Sequence, residues 1–210
     1  MMELALRNPF HVAIVSGVPG VGKTTVLGHV ERLAQQHYPG KLLILNFGDF
    51  MLKAAQKEGL AEHRDQLRHL KHRQQVALQE VAARLIVEHA SKELGPGDAL
   101  IVDTHTVVKT PMGYWPGLPG HVVSILKPDL IILIEASPEA IAARRMRDED
   151  KTRIRRDLGG VEDIAELMKY ARITALASAV PAGSSVVWVE NPEGRAEEAA
   201  KRIIELLKML

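Results

Sequence analysis

Residues 17–24 read Gly17-Val18-Pro19-Gly20-Val21-Gly22-Lys23-Thr24, the spacing G-x-x-x-x-G-K-[ST] that suits a chain for holding a polyphosphate. Gly17, Gly20 and Gly22 admit positive φ angles, so successive backbone N–H groups can turn inward around a phosphate. Lys23 is then expected to reach the β- and γ-phosphates of a nucleoside triphosphate, and the Thr24 hydroxyl to bind Mg²⁺. The same letters elsewhere would be a glycine-rich turn with a solvated lysine, and the flanks decide between the two. His11–Ser16 is a short, β-branched apolar run suited to a buried strand. Val26, Val30 and Leu33 recur at the spacing of one helix face. Strand, loop and helix thus follow in the required order, and the helix start adds its dipole and free N–H groups.

Further candidates sit at the ends of other apolar runs. Lys41–Leu45 reads as a strand delivering Asn46-Phe47-Gly48-Asp49 to its carboxyl end, where open α/β sheets bind ligands. Asp49 is read as an N-cap for a helix over Phe50–Glu58, as a ligand contact, or as both. A polar helix is predicted over His63–Leu94; at its start Arg64 and Arg68 share a face beside Asp65, placed to anchor an acceptor or simply to be solvated. His69 and His72 read as solvated residues, not metal ligands. The strand Ala99–Val102 ends in Asp103-Thr104-His105, and Asp103 is a natural outer partner for Mg²⁺ or its waters. Thr106–Pro119, with Lys109, Tyr114 and Trp115, is long for a connector and reads as a binding loop.

After a fourth strand, Asp129–Glu135, residues 144–157 hold seven basic and four acidic side chains. Six of the seven are arginines (Arg144, Arg145, Arg147, Arg153, Arg155 and Arg156), whose planar forks pair with phosphate oxygens. The segment reads as a phosphate-closing lid, against the alternative of a solvated charged face. A helix over Val161–Ala179, a fifth strand Ser185–Val189, a loop containing Asn191 and a last helix with Ile203, Leu207 and Leu210 on one face complete the chain.

Alternating strands and helices predict one α/β domain with a parallel sheet covered on both faces. The 210 residues suffice for one core, and 46% hydrophobic with 25% charged residues is an ordinary globular balance. A formal net charge of +1 gives no global attraction to nucleic acid or an anionic membrane. The absence of cysteine excludes a disulfide framework or a thiolate zinc site. With no signal-like start and no long apolar run, the expectation is a cytoplasmic, unanchored protein.

From the first strand to Gly194 the sequence resembles the archaeal type of adenylate kinase. The likeness rests on the loop through Thr25, Asn46-Phe47-Gly48, Arg64-Asp65-Gln66 with Arg68, Val102-Asp103-Thr104-His105, Lys109-Thr110-Pro111 through Gly113-Tyr114 to Pro119, and the lid arginines with Arg156-Asp157. It implies a P-loop, three-layer α/β/α fold with five parallel strands in the order 2-3-1-4-5. Residues 1–210 would form one domain, with an AMP-side helical flap at about 49–80 and a short lid at about 144–157. The implied reaction is ATP + AMP = 2 ADP with Mg²⁺, the partners being these small molecules and not nucleic acid or membrane; a homotrimer is implied by the resemblance alone. ATP would be held by Gly17, Val18, Pro19, Gly20, Val21, Gly22, Lys23, Thr24 and Thr25, with Asn191 a candidate adenine contact. AMP would meet Asp49, Arg64, Arg68, Asp103, His105 and Lys109. Lys23, Arg64, Arg144, Arg145 and Arg156 would serve catalysis, and Mg²⁺ would sit on Thr24 and, through water, Asp103. The chain lacks the long lid and the Asp-Gly-Phe-Pro-Arg segment of the bacterial type, so Lys109 stands in for an acceptor-side arginine. A kinase for another small acceptor and a small ATPase acting on an RNA–protein assembly remain as alternatives.

Overall fold

The computed structural model describes residues 7–110, 112–149 and 159–210. Along the chain run β1 (His11–Ser16), α1 (Lys23–His37), β2 (Leu42–Asn46), α2 (Phe47–Lys57), a 3-10 helix (Arg64–His69), α3 (His72–Glu93), β3 (Ala99–Asp103), β4 (Val107–Thr110), β5 (Gly113–Pro116), α4 (Gly120–Leu126), β6 (Leu130–Glu135), α5 (Pro138–Glu149), α6 (Val161–Ala182), β7 (Ser185–Glu190) and α7 (Ala196–Leu207). The main sheet is parallel in the order β2-β3-β1-β6-β7. With the β4–β5 hairpin left out of the count, this is the expected 2-3-1-4-5.

The sheet explains why the central strands read as unbroken apolar runs: they are buried on both faces. Along β1, Ala13 and Val15 face the layer that holds Val26, Val30 and Leu33 of α1 and Ile203, Ile204 and Leu207 of α7. Val12 and Ile14 face the opposite layer, with Ala82, Ala83 and Ile86 of α3 and Val122, Val123 and Leu126 of α4. Alternation of side chains along one strand thus serves two cores. Among the described residues no helix is long and apolar enough to cross a membrane.

Two predicted elements differ. The single helix expected over His63–Leu94 is broken, because Leu70 and Lys71 are extended, with ψ of 153° and 146°. The break lets Leu67 and Leu70 fold onto Ala54, Ala55, Ala61 and Leu78, an apolar cluster under the 3-10 helix. The second difference is the expected binding loop, which contains an antiparallel hairpin with Val108 opposite Trp115 and Lys109 opposite Tyr114. Its aromatics dock it: Trp115 packs at a tilt against His72 with ring centroids 4.3 Å apart, and Tyr114 against Tyr170 at 4.4 Å. The Tyr114 hydroxyl also donates to Glu166 at 2.9 Å. His72 is therefore a packing residue, not merely a solvated one.

Candidate active site

Strand register sets the site. Asn46 of β2, Asp103 of β3 and Val15 of β1 occupy one row at the carboxyl end of the sheet, two residues before the glycine-rich loop begins at Gly17. Gly20 and Gly22 have φ of +87° and +91°, as expected. Gly17 does not; its constraint is packing, since a Cβ there would come within 2.8 Å of Val21 and 2.9 Å of the Ile134 carbonyl. Gly22 is the N-cap of α1, with no side-chain cap and no acid in the first turn. The helix start therefore presents uncapped N–H groups to an anion.

Lys23 donates to the Thr104 carbonyl at 2.6 Å and forms an ion pair with Asp103. Burial lowers its pKa, and Asp103 opposes that shift. Asp103 also accepts from the Asn46 amide at 2.7 Å. The other end of that amide, Asn46 Oδ1, accepts from Arg64 at 2.8 Å. Arg64 reaches Asp49 at 3.3 Å, and its guanidinium lies so close over Gly48 that any Cβ there would collide. A continuous polar chain thus runs from the phosphate-loop lysine through Asp103 and Asn46 to Arg64 and Asp49.

Asn46 was not singled out for a role from sequence. Its signal was present: an Asn at a strand end directly before a helix is a strong N-cap. The structure corrects the capping assignment, because Asn46 caps α2 and accepts from the Asp49 N–H at 3.3 Å. Asp49 lies inside the first turn.

Lys23, Asn46, Arg64 and Asp103 border one cavity of about 1660 Å³, which Asp49 does not line; it is larger than the roughly 300–1,000 Å³ typical of a site for one small ligand. Gly20, Gly22, Lys23, Thr24 and Thr25 of the loop and helix start line it, with Asn191. Asn46, which ends the edge strand β2, and Arg64 beyond it also line the cavity, as do Arg68 and Lys109. Asp103 and His105 line it too. Lys109 is exposed and pairs with Asp163 at 3.5 Å.

Four residues expected at the substrates, His105, Arg144, Arg145 and Asn191, are engaged with the loop, and His105, Arg144 and Asn191 line the cavity as well. His105 Nδ1 donates to the Gly17 carbonyl at 2.9 Å; burial, then the nearby Lys23 charge, lower its pKa to about 4, so the ring is neutral near pH 7. Arg145 is buried and donates through Nε and Nη2 to the Pro19 carbonyl at 2.9 and 2.7 Å. Arg144 donates to the carbonyls of Val21 at 2.8 Å and Asn191 at 2.9 Å, and to Glu193 at 2.9 Å. Asn191 is buried, and its amide donates to the same Val21 carbonyl at 2.8 Å. Glu193, which sequence reading passed over, also takes Arg147 at 2.9 Å. Arg153, Arg155 and Arg156 lie outside the described residues, as does most of the predicted lid. Among the described residues no cluster of three or more His, Cys, Asp or Glu could hold a metal by itself.

A family model described as an AAA domain matches residues 16–165. An adenylate kinase of Saccharolobus islandicus is 46% identical over 197 residues, 93% of this chain and 98% of the relative. Adenylate kinases of Methanocaldococcus jannaschii and Methanopyrus kandleri are 41% and 40% identical, covering 94% and 95% of the chain and 98% and 99% of the relatives.

Proposed function

The chain belongs to the adenylate kinase family, and on that premise we propose that it transfers the γ-phosphoryl group of ATP reversibly to AMP, giving two ADP and balancing the adenine nucleotides. The observation that carries the reading is one cavity of about 1660 Å³ lined both by the phosphate loop and by Arg64, Arg68 and Lys109. ATP lies on the loop and AMP on these cations, with Lys23 and Asp103 where the phosphates meet.

The acceptor is a phosphate, whose oxygen is already anionic, so no general base has to remove a proton. That oxygen forms the new bond to the γ-phosphorus as the bond from the γ-phosphorus to the β–γ bridging oxygen breaks. The protein's work is alignment and charge neutralisation. Loop N–H groups and the α1 start hold the donor phosphates. Lys23 leaves Asp103 and the Thr104 carbonyl to meet the β- and γ-phosphates. Arg64 anchors the AMP phosphate, with Arg68 and Lys109 beside it and Asp49 orienting Arg64.

Thr24 and Asp103 are both oxygen donors lining this cavity, the donor type that Mg²⁺ takes together with phosphate oxygens and waters. They fit that ion, Thr24 directly and Asp103 through water. When bound, Mg²⁺ supplies neutralisation of charge on the transferring phosphates.

Residues 49–80 act as an acceptor-side flap in this proposal. The predicted lid beyond Arg145, Arg156 included, acts to exclude water and so prevents loss of ATP to hydrolysis, with Arg144 and Arg145 at its base engaged on the loop. The reading extends to a cytoplasmic enzyme and a homo-oligomer, a trimer on the family's pattern, which light scattering on the purified protein would measure.

Phosphorus NMR with MgATP and, in separate tubes, AMP, GMP, CMP, UMP or no acceptor tests the proposal. ADP forming rapidly with AMP alone is the expected result. Fast turnover with another monophosphate would reassign the acceptor. Phosphate release indifferent to acceptor would overturn the kinase reading in favour of an ATPase.

A further inference from the structure

The described phosphate loop does not hold its own shape by glycine alone. Across a trans peptide bond the C=O and the following N–H point in opposite directions, and no described peptide is cis. Three alternate carbonyls of the loop, those of Gly17, Pro19 and Val21, are each taken by side chains from elsewhere in the fold. The N–H groups of the same three peptides belong to Val18, Gly20 and Gly22, and all three of these residues line the cavity. Of the two intervening carbonyls, that of Val18 accepts from the Val21 N–H at 3.2 Å within the loop's own turn.

The geometry points to His105, Arg145 and the Arg144–Asn191 pair as positioning residues that pull alternate loop carbonyls outward, so that the N–H groups of Val18, Gly20 and Gly22 face the donor phosphates. The three clamps come from three places. His105 follows β3, Arg144 and Arg145 lie on α5, and Asn191 follows β7. Adjacent helical residues do not share a face, which suits Arg144 and Arg145 to carbonyls two residues apart. Gly20 has no side chain to obstruct Arg145, since a Cβ there would lie 2.8 Å from the arginine Cγ. Gly22 is matched in the same way to Asn191, whose amide nitrogen lies 2.7 Å from where its Cβ would be.

This assignment rests on the phosphate-loop reading, but not on which acceptor the enzyme uses. It differs from a substrate contact in a testable way, because only Nδ1 of His105 is engaged on the loop. An asparagine amide nitrogen falls near Nδ1 of a histidine, and a glutamine amide nitrogen near Nε2. Calorimetric titration of wild-type protein, His105→Asn and His105→Gln with inorganic tripolyphosphate, and separately with AMP, separates the possibilities. Tripolyphosphate carries no base or ribose, so it reads the cradle alone.

His105→Asn is expected to keep wild-type tripolyphosphate affinity, and His105→Gln to lose about tenfold, the worth of one misdirected donor to a charged group. AMP affinity stays unchanged in both. Arg145→Lys, which keeps the charge but not the pair of N–H groups on Pro19, is expected to lose tripolyphosphate affinity by a similar factor, again with AMP unaffected. Equal tripolyphosphate affinity in all four proteins would overturn the assignment. So would loss confined to AMP, which would make His105 an acceptor contact. ADP formation by the wild-type protein, assayed in the same buffer, reports separately on the proposed reaction.

Discussion

Lowering the pH should weaken the fold through His105 in a defined window. The ring's pKa falls from 6.5 to about 4, first because it is buried and then because Lys23 lies close. In the unfolded chain the imidazole takes up its proton as pH drops through about 6.5, whereas in the folded protein it resists until about 4. The stabilisation from a neutral His105 is therefore complete above pH 6.5 and is lost between there and about pH 4. Each pH unit in that window costs about 1.4 kcal/mol, so roughly 2 kcal/mol is gone by about pH 5 and about 3 over the whole window.

Other histidines and carboxylates also titrate there, so the measurement is a difference. Urea denaturation of wild-type protein and His105→Asn between about pH 7.5 and 5 cancels the shared groups, while Asn retains the donor to Gly17. The stability gap should move by roughly 2 kcal/mol in favour of the Asn variant as the pH falls. A gap constant to within about 0.5 kcal/mol would refute the reasoning: His105 would then be no more burdened by its site than in the unfolded chain.

Gly20→Ala meets both a φ of +87° and a Cβ position 2.8 Å from Arg145, so ATP affinity measured by calorimetry should fall about tenfold or more. Arg64→Ala removes the hydrogen bond to Asn46 and a cation lining the cavity; on the proposed role of Arg64, steady-state kinetics should show KM for AMP rising on the order of tenfold or more with KM for ATP nearly unchanged. Gly28 lies on the exposed side of α1, where a Cβ would meet nothing within 4 Å; Gly28→Ala should therefore raise stability by about 1 kcal/mol and Tm by about 2–4 °C in a thermal melt, with turnover unaltered.

Much of the site was legible because its information is local. The phosphate loop is a run of adjacent residues whose glycines, lysine and threonine act on one ligand, and the strand before it and helix after it carry their own periodicities. Asp103 and Arg64 were legible because they lie at ends of strongly patterned segments, and Lys109 because its loop is long for a connector. The break before α3 was missed because Leu70 and Lys71 would fit a helix as well; their extension serves the apolar cluster around Leu67 and Leu78. The β4–β5 hairpin was missed because its stability comes from aromatic docking on His72 and Tyr170, far along the chain.

Sequence alone determined the residue types: a phosphate loop, five apolar strands, cations at strand and helix ends and an arginine-rich stretch after the fourth of those strands. Which arginine meets which atom was a tertiary decision. Arg144 and Arg145 carry identical side chains on adjacent positions, yet one reaches the Val21 and Asn191 carbonyls and the other is buried on Pro19. Their partners are backbone oxygens, which every residue possesses and no residue type advertises. Only the fold, by bringing α5, the end of β3 and the turn after β7 against one loop, selects which carbonyls are held and which N–H groups remain for a phosphate.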